Sequence, residues 1–174
     1  MLVSSSPVAL RFSAEKYARR ERDAERELRS LRSVFDLSAV FLEIGASDCA
    51  LARRAAGFVE RVYAVDICED TMGRLGGPPN LVRLVHDGVR IALPHATVDV
   101  AFSRSLVISQ LTGICHALKD GGKFITTSRG PAAELREALF DAGFSAVRFY
   151  VNGIRVPYHL ARLLDDTFKI LAIK

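Results

Sequence analysis

Residues 39–49 narrow the possible folds more than any other part of the chain; they run Ala39, Val40, Phe41, Leu42, Glu43, Ile44, Gly45, Ala46, Ser47, Asp48, Cys49. A continuous apolar run that ends in a glycine turn fits a strand covered on both faces, the central strand of a parallel sheet, better than a half-exposed one. Beyond the turn, Asp48 is the expected N-cap of a helix over 49–56, with Gly57 as its stop. Strand, tight turn and helix start would bring free backbone N–H groups and the positive end of a helix dipole to one spot. An anionic ligand group, carboxylate or phosphate, is what such a spot holds.

The rest of the chain repeats the pattern. Residues 61–66 read as a second strand ending in Asp66, which follows Gly45 by 21 positions (66 − 45). That is close to the roughly 20 residues separating a nucleotide-binding turn from the acid that takes ribose hydroxyls. A short helix over 69–75 is expected before Gly76, Gly77, Pro78 and Pro79 break it, and 81–86 then form a third strand with Asp87 and Gly88 at its carboxyl end. Residues 98–103 form a fourth strand. Leu106, Val107, Leu111, Ile114, Cys115 and Leu118 recur with helical period, predicting a helix over 105–118. Gly121 and Gly122 turn the chain into a fifth strand over 123–127. Pro131 and Gly143 frame a helix between them, and strands over 146–151 and 168–173 complete the series, the last expected to enter antiparallel.

Strands alternating with helices require an α/β, doubly wound architecture. The expected sheet is seven-stranded and mostly parallel with an antiparallel final strand. Ahead of it, 13–32 carry dense mixed charge without Gly or Pro, and pairs such as Glu15 with Arg19 and Glu25 with Arg29 stand four apart with the acid first, so an extra N-terminal helix is predicted. We divide the chain into an N-terminal helical extension or lid, 1–34, and a single Rossmann-like domain, 35–174.

Composition excludes several classes. No apolar run approaches the roughly 20 residues of a membrane span, and no basic residue precedes the apolar start, so we expect neither membrane insertion nor a secretory signal, and a cytoplasmic protein. The formal net charge of +4 comes from residues interleaved with acids, which argues little for nucleic acid. Cys49, Cys68 and Cys115 lie far apart without metal-ligand spacing; we expect no metal, and read them as buried small residues in a reducing compartment.

Taken in order, several segments resemble the motifs of class I S-adenosylmethionine-dependent methyltransferases, over roughly 35–174. Glu43 to Cys49 resembles the first motif, an acid two residues before a glycine-rich turn. Val65, Asp66 and Ile67 resemble the second, and Asp87 with Gly88 resembles the acidic pair at the adenine. Leu93-Pro94 with 98–103 resembles the fourth-strand motif, and 118–124 the turn into the fifth strand. The resemblance implies S-adenosyl-L-methionine as cofactor, held by Glu43, Gly45, Ala46, Ser47, Asp66, Ile67, Asp87, Gly88 and Ser103. It departs at Ser47 and Cys49, where the family usually has glycine; a Cβ there narrows the turn and costs more if φ is positive. A nicotinamide-dependent dehydrogenase would need G-x-G-x-x-G and a second domain.

Methyl transfer from a sulfonium is an in-line displacement with an activated leaving group, so alignment in a dry pocket matters more than a fixed triad. The acceptor should lie beyond the strand ends near Ser103, Arg104, Ser105 and Leu106. These lack the Asn/Asp-Pro-Pro-aromatic signature of the family's amino and base methyltransferases. Arg104, Tyr158 and His159 are the candidates for acceptor contact or base, whereas His86 and His116 read as structural and His95 carries no signal. Without a recognition domain or basic run, a small-molecule acceptor is favoured. A non-catalytic relative that binds the cofactor or only a partner, and an RNA or protein methyltransferase, are the alternatives. Oligomeric state is not legible.

Overall fold

A computed structural model describes residues 7–69, 72, 76–164 and 167–174, with the backbone alone for 7–14. Helix α1 (Pro7–Leu31) is followed by β1 (Val40–Ile44), α2 (Ala50–Ala55), β2 (Arg61–Asp66), β3 (Leu81–Val85) and β4 (Val98–Ser103). Then come α3 (Leu111–Ala117), β5 (Leu118–Arg129), α4 (Ala132–Asp141), β6 (Ala146–Val151), β7 (Ile154–Val156), α5 (Tyr158–Ala161) and β8 (Thr167–Ile173). The strands form one sheet in the order β3-β2-β1-β4-β5-β8-β6-β7. β1 to β5 are parallel neighbours, and β8 enters antiparallel between β5 and β6.

The central strands bury both faces, and alternate side chains feed two separate apolar clusters. Leu42, Ile44, Ala101 and Phe124 face Leu111 and Ile114 of α3 and Leu135 and Leu139 of α4. Phe41, Val100, Phe102 and Ile125 face Leu51 and Ala52 of α2 and Ala24, Leu28 and Leu31 of α1. This two-sided burial is why β1 and β4 are mostly apolar, interrupted by Glu43 in one and by Asp99 and the final Ser103 in the other. Helix α1 carries Glu21 against Arg53 and Arg54 and Arg20 against Asp48. Such partly exposed pairs are worth about 0.2–1 kcal/mol each, so buried Leu28 and Leu31 are the stronger anchor.

Four expectations change, and a fifth lies mostly outside the described residues. The sheet has eight strands, not seven, because β7 pairs as a three-residue hairpin partner of β6. The helix expected over 105–118 shrinks to a 3-10 turn, Ile108–Gln110, and the seven-residue α3. Ser103 Oγ donates to Ser105 O at 2.6 Å and Leu106 N–H to Thr127 O at 3.1 Å, which holds the first residues out of helical geometry. Leu118, at the other end, pairs with Val98 in the sheet, so β5 starts there and shifts register before Lys123 instead of starting at 123. The residue that enters α2 is Cys49, with φ 57, and not Asp48; Asp48 Oδ1 still accepts the Ala50 N–H at 3.3 Å from one position earlier. The short helix expected over 69–75 falls mostly outside the described residues, and Glu69 and Met72, which are described, form a turn. Among the described residues no helix is long and apolar enough to cross a membrane.

Candidate functional site

In a doubly wound sheet, ligands bind beyond the carboxyl ends of the strands where the strand order reverses. Here the reversal lies between β1 and β4. A cavity of about 320 Å³ opens there, lined by Ile44, Gly45, Asp66, Ile67, His86, Ser103, Arg104, Ser105, Val107 and Gln110. It therefore draws on the ends of β1, β2, β3 and β4 together.

Of the residues named from sequence, Gly45, Asp66, Ile67, Ser103 and Arg104 meet at this cavity. Gly45 has φ 71, and a Cβ built on it would meet nothing within 4 Å. The turn thus presents bare backbone to the open space. Asp66 closes the turn from the other side. Its Oδ2 accepts the Ser47 N–H at 2.7 Å, and its Oδ1 accepts the Cys68 N–H at 3.1 Å. Each of these oxygens keeps a spare lone pair. Ile67 is 66% exposed, a large apolar side chain at the cavity wall.

Glu43, Ala46, Ser47, Asp87 and Gly88 are not among the lining residues. Glu43 is 1% exposed and points under the loop, where its Oε2 accepts the Ala52 N–H in the first turn of α2 at 2.8 Å. Burial pushes its carboxyl up to about 8, against the pull of the Arg104 guanidinium and the Ala52 N–H. The donors that the sequence suggested would be free at this helix start are largely engaged. Gly45 and Ala46 donate to Val65 O, Cys49 to Ala46 O, Ser47 to Asp66, Ala50 to Asp48 and Ala52 to Glu43. Ser47 and Cys49 both adopt positive φ, 51 and 57, the conformation for which glycine is the usual residue.

Asp87 is exposed, and its Oδ1 accepts the Val89 and Arg90 N–H groups at 2.9 and 2.7 Å. Those bonds hold its carboxyl below the ordinary range, the Arg90 N–H foremost. Tyr158 and His159 lie on α5, away from the cavity lining. The Tyr158 ring stacks on Phe149 of β6 at 6.4 Å with the Arg136 guanidinium 4.6 Å above it.

Four lining residues were missed, among them Ile44, read only as part of the buried strand. His86, read as structural, joins the wall because its N–H bonds to Asp66 O at 3.1 Å and its ring folds back to Gly88. Gln110, 7% exposed, donates from Nε2 to Gly88 O at 2.9 Å. A buried glutamine among helix-period apolar residues was the available signal. Val107 carried none. Cys49 and Cys115 are buried and Cys68 half-buried, and burial pushes the thiols of Cys49 and Cys115 upward, away from reactivity. Among the described residues no cluster of His, Cys, Asp or Glu could hold a metal ion.

No protein-family model and no curated protein matches the chain. Solved structures do. One is a methyltransferase in complex with the Haloferax volcanii Trm112 methyltransferase activator, at TM-score 0.66 and 15% identity over 93% of this chain and 96% of that one. A SAM-dependent methyltransferase from Aquifex aeolicus aligns at TM-score 0.62 and 19% identity over 87% and 89%. Phosphoethanolamine N-methyltransferase 2 from Haemonchus contortus, in complex with S-adenosyl-L-methionine, aligns at TM-score 0.65 and 16% identity over 86% of this chain and 52% of its own. At these identities the likeness is one of fold, and the fold is that of the class I S-adenosylmethionine-dependent methyltransferases.

Proposed function

We propose that the chain is an S-adenosylmethionine-dependent methyltransferase with a small-molecule acceptor, and that the cavity at the ends of β1 to β4 is its cofactor site. The observation that carries this is the meeting of Gly45, Asp66, Ile67 and Ser103 around one opening at the strand-order reversal. A volume of about 320 Å³ is at the small end of the range for ligand pockets.

The residues fit the ligand's chemistry. Gly45 offers close backbone approach, the spare lone pairs of Asp66 suit a ribose diol, and Ile67 suits the face of a planar base. When bound, the cofactor supplies a methyl group on a sulfonium, already activated for displacement. The protein's part is to hold and aim. Glu43 fixes the start of α2 and Asp66 fixes the turn at Ser47, so the Gly45 backbone is set before any ligand arrives. Ser103, Arg104 and Ser105 leave β4 beside the opening, where an acceptor would stand, and Arg104 is the cation available to an anionic acceptor or to the cofactor's carboxylate. Tyr158 and His159, engaged or placed elsewhere, drop out of this scheme. We keep 1–34 as the proposed helical extension or lid, a reading that the Arg20–Asp48 contact of 3.3 Å between α1 and the turn supports.

A small acceptor is favoured over RNA because Arg20, Arg26, Arg53 and Arg54 are paired with acids. A cytoplasmic location is part of the same proposal. Calorimetric titration with S-adenosylmethionine and S-adenosylhomocysteine tests it; no binding at millimolar ligand would sink it. A second reading, a cofactor-binding relative without turnover, is favoured by the left-handed Ser47 and Cys49 and the engaged loop donors. Methylated product from any acceptor would exclude that reading.

A further inference from the structure

We infer that the base of the bound cofactor is read by a hydrogen-bond donor, His86 Nε2–H, and not by the carboxylate of Asp87. The inference rests on the function proposed above and concerns how that site distinguishes one purine from another.

The backbone places His86 first. β3 ends at Val85, and the next N–H bonds to the carbonyl of Asp66 at 3.1 Å, which sets the imidazole beside the acid at the cavity wall. Its Nδ1 then accepts the Gly88 N–H at 2.9 Å. An imidazole nitrogen that accepts a backbone N–H carries no proton, so the neutral ring carries its proton on Nε2. Gly88, at φ 87, turns the loop so that its carbonyl accepts Gln110 Nε2 at 2.9 Å. His86 and Gln110, both lining the cavity, thus clamp the same glycine from two sides, and the ring is held with its donor edge free. Among the described residues nothing accepts from Nε2–H. His86 lines the cavity and is only partly buried, so a ligand acceptor there would take the place of the water that otherwise meets Nε2–H.

Asp87 is engaged differently. Its Oδ1 accepts both the Val89 and Arg90 N–H groups, and the side chain is exposed outside the cavity lining. A carboxylate reading the base would demand the 6-amino donor. A histidine donor that meets N3 or N7, the ring acceptors that adenine and hypoxanthine share, tolerates loss of the amino group. The site should therefore accept a hypoxanthine base almost as well as adenine.

Calorimetry on the full chain tests this with S-adenosylhomocysteine and its S-inosyl analogue, in wild type, His86→Ala, His86→Phe and Asp87→Asn. We expect the two ligands to bind wild type within about threefold of each other, both His86 variants to lose roughly tenfold, and Asp87→Asn to lose less than about twofold. The asparagine side chain keeps the acceptor for Val89 and Arg90, so the turn survives. A tenfold preference of wild type for the adenosyl ligand, or a tenfold loss in Asp87→Asn, overturns the inference while leaving the proposed function standing. No binding of either ligand by wild type removes the function and this inference together. If the His86 variants fail to fold by thermal melting, the two-ligand comparison on wild type decides alone.

Discussion

Replacing Glu43 by glutamine should change the pH dependence of stability more than stability itself. Glu43 is 1% exposed in the middle of the sheet, and burial, the largest influence, raises its carboxyl from 4.5 to about 8; the Arg104 guanidinium and the Ala52 N–H oppose the rise, while Asp48 and Asp66 add to it. The folded state therefore keeps a proton that the unfolded chain has lost. Between about pH 4.5 and about pH 8 the unfolded state binds fewer protons, so stability is fully present below the window, falls as pH rises through it, and is flat above. The separation of the two values corresponds to on the order of 5 kcal/mol across the window, comparable with a small domain's whole stability of about 5–15 kcal/mol. The carbonyl of the introduced glutamine can still accept the Ala52 N–H but cannot ionise. Urea midpoints at several pH values from about 5 to about 8.5 should show wild type losing several kcal/mol that Glu43→Gln does not lose. Parallel curves for the two proteins would refute the claim that this carboxyl is held protonated by burial.

Ser47→Gly should raise stability by up to about 1 kcal/mol, because relief of a left-handed φ of 51 exceeds the entropy glycine adds to the unfolded chain; a chemical melt reads it. Cys49→Gly relieves a similar strain at φ 57 but deletes a fully buried thiol, so the same melt should show no gain and a net loss of about 1 kcal/mol. Asp66→Ala removes the acceptor for the Ser47 and Cys68 N–H groups along with the proposed ribose contact; S-adenosylhomocysteine affinity measured calorimetrically should fall on the order of a hundredfold. Phe102→Ala, at a side chain 1% exposed between β4 and the α1–α2 layer, should cost about 3–5 kcal/mol in urea unfolding without moving the cavity residues.

Local pattern was enough to establish the α/β alternation, the burial of β1, the spacing that sets Asp66 beside Gly45, and the late strand that enters antiparallel. These depend on short-range matters: a side-chain period, a glycine or proline that breaks it, and crossover length. Which way side chains at the strand ends face was decided by packing instead. Asp87 and His86 are adjacent in sequence, yet the register of β3 on β2 and the clamp on Gly88 turn His86 toward the cavity, while Asp87 bonds its own turn. The helical period over 105–118 was real but lost to long-range partners, Thr127 at one end and Val98 at the other. β7 was too short to carry a period, and Tyr158 was drawn to Phe149 and Arg136, groups that no local pattern could name. Glu43 shows the division within one residue. Its place before the glycine turn was written in the chain, whereas its buried, proton-holding state arises from the layer of helix packed over it, because desolvation is a property of everything that excludes the water.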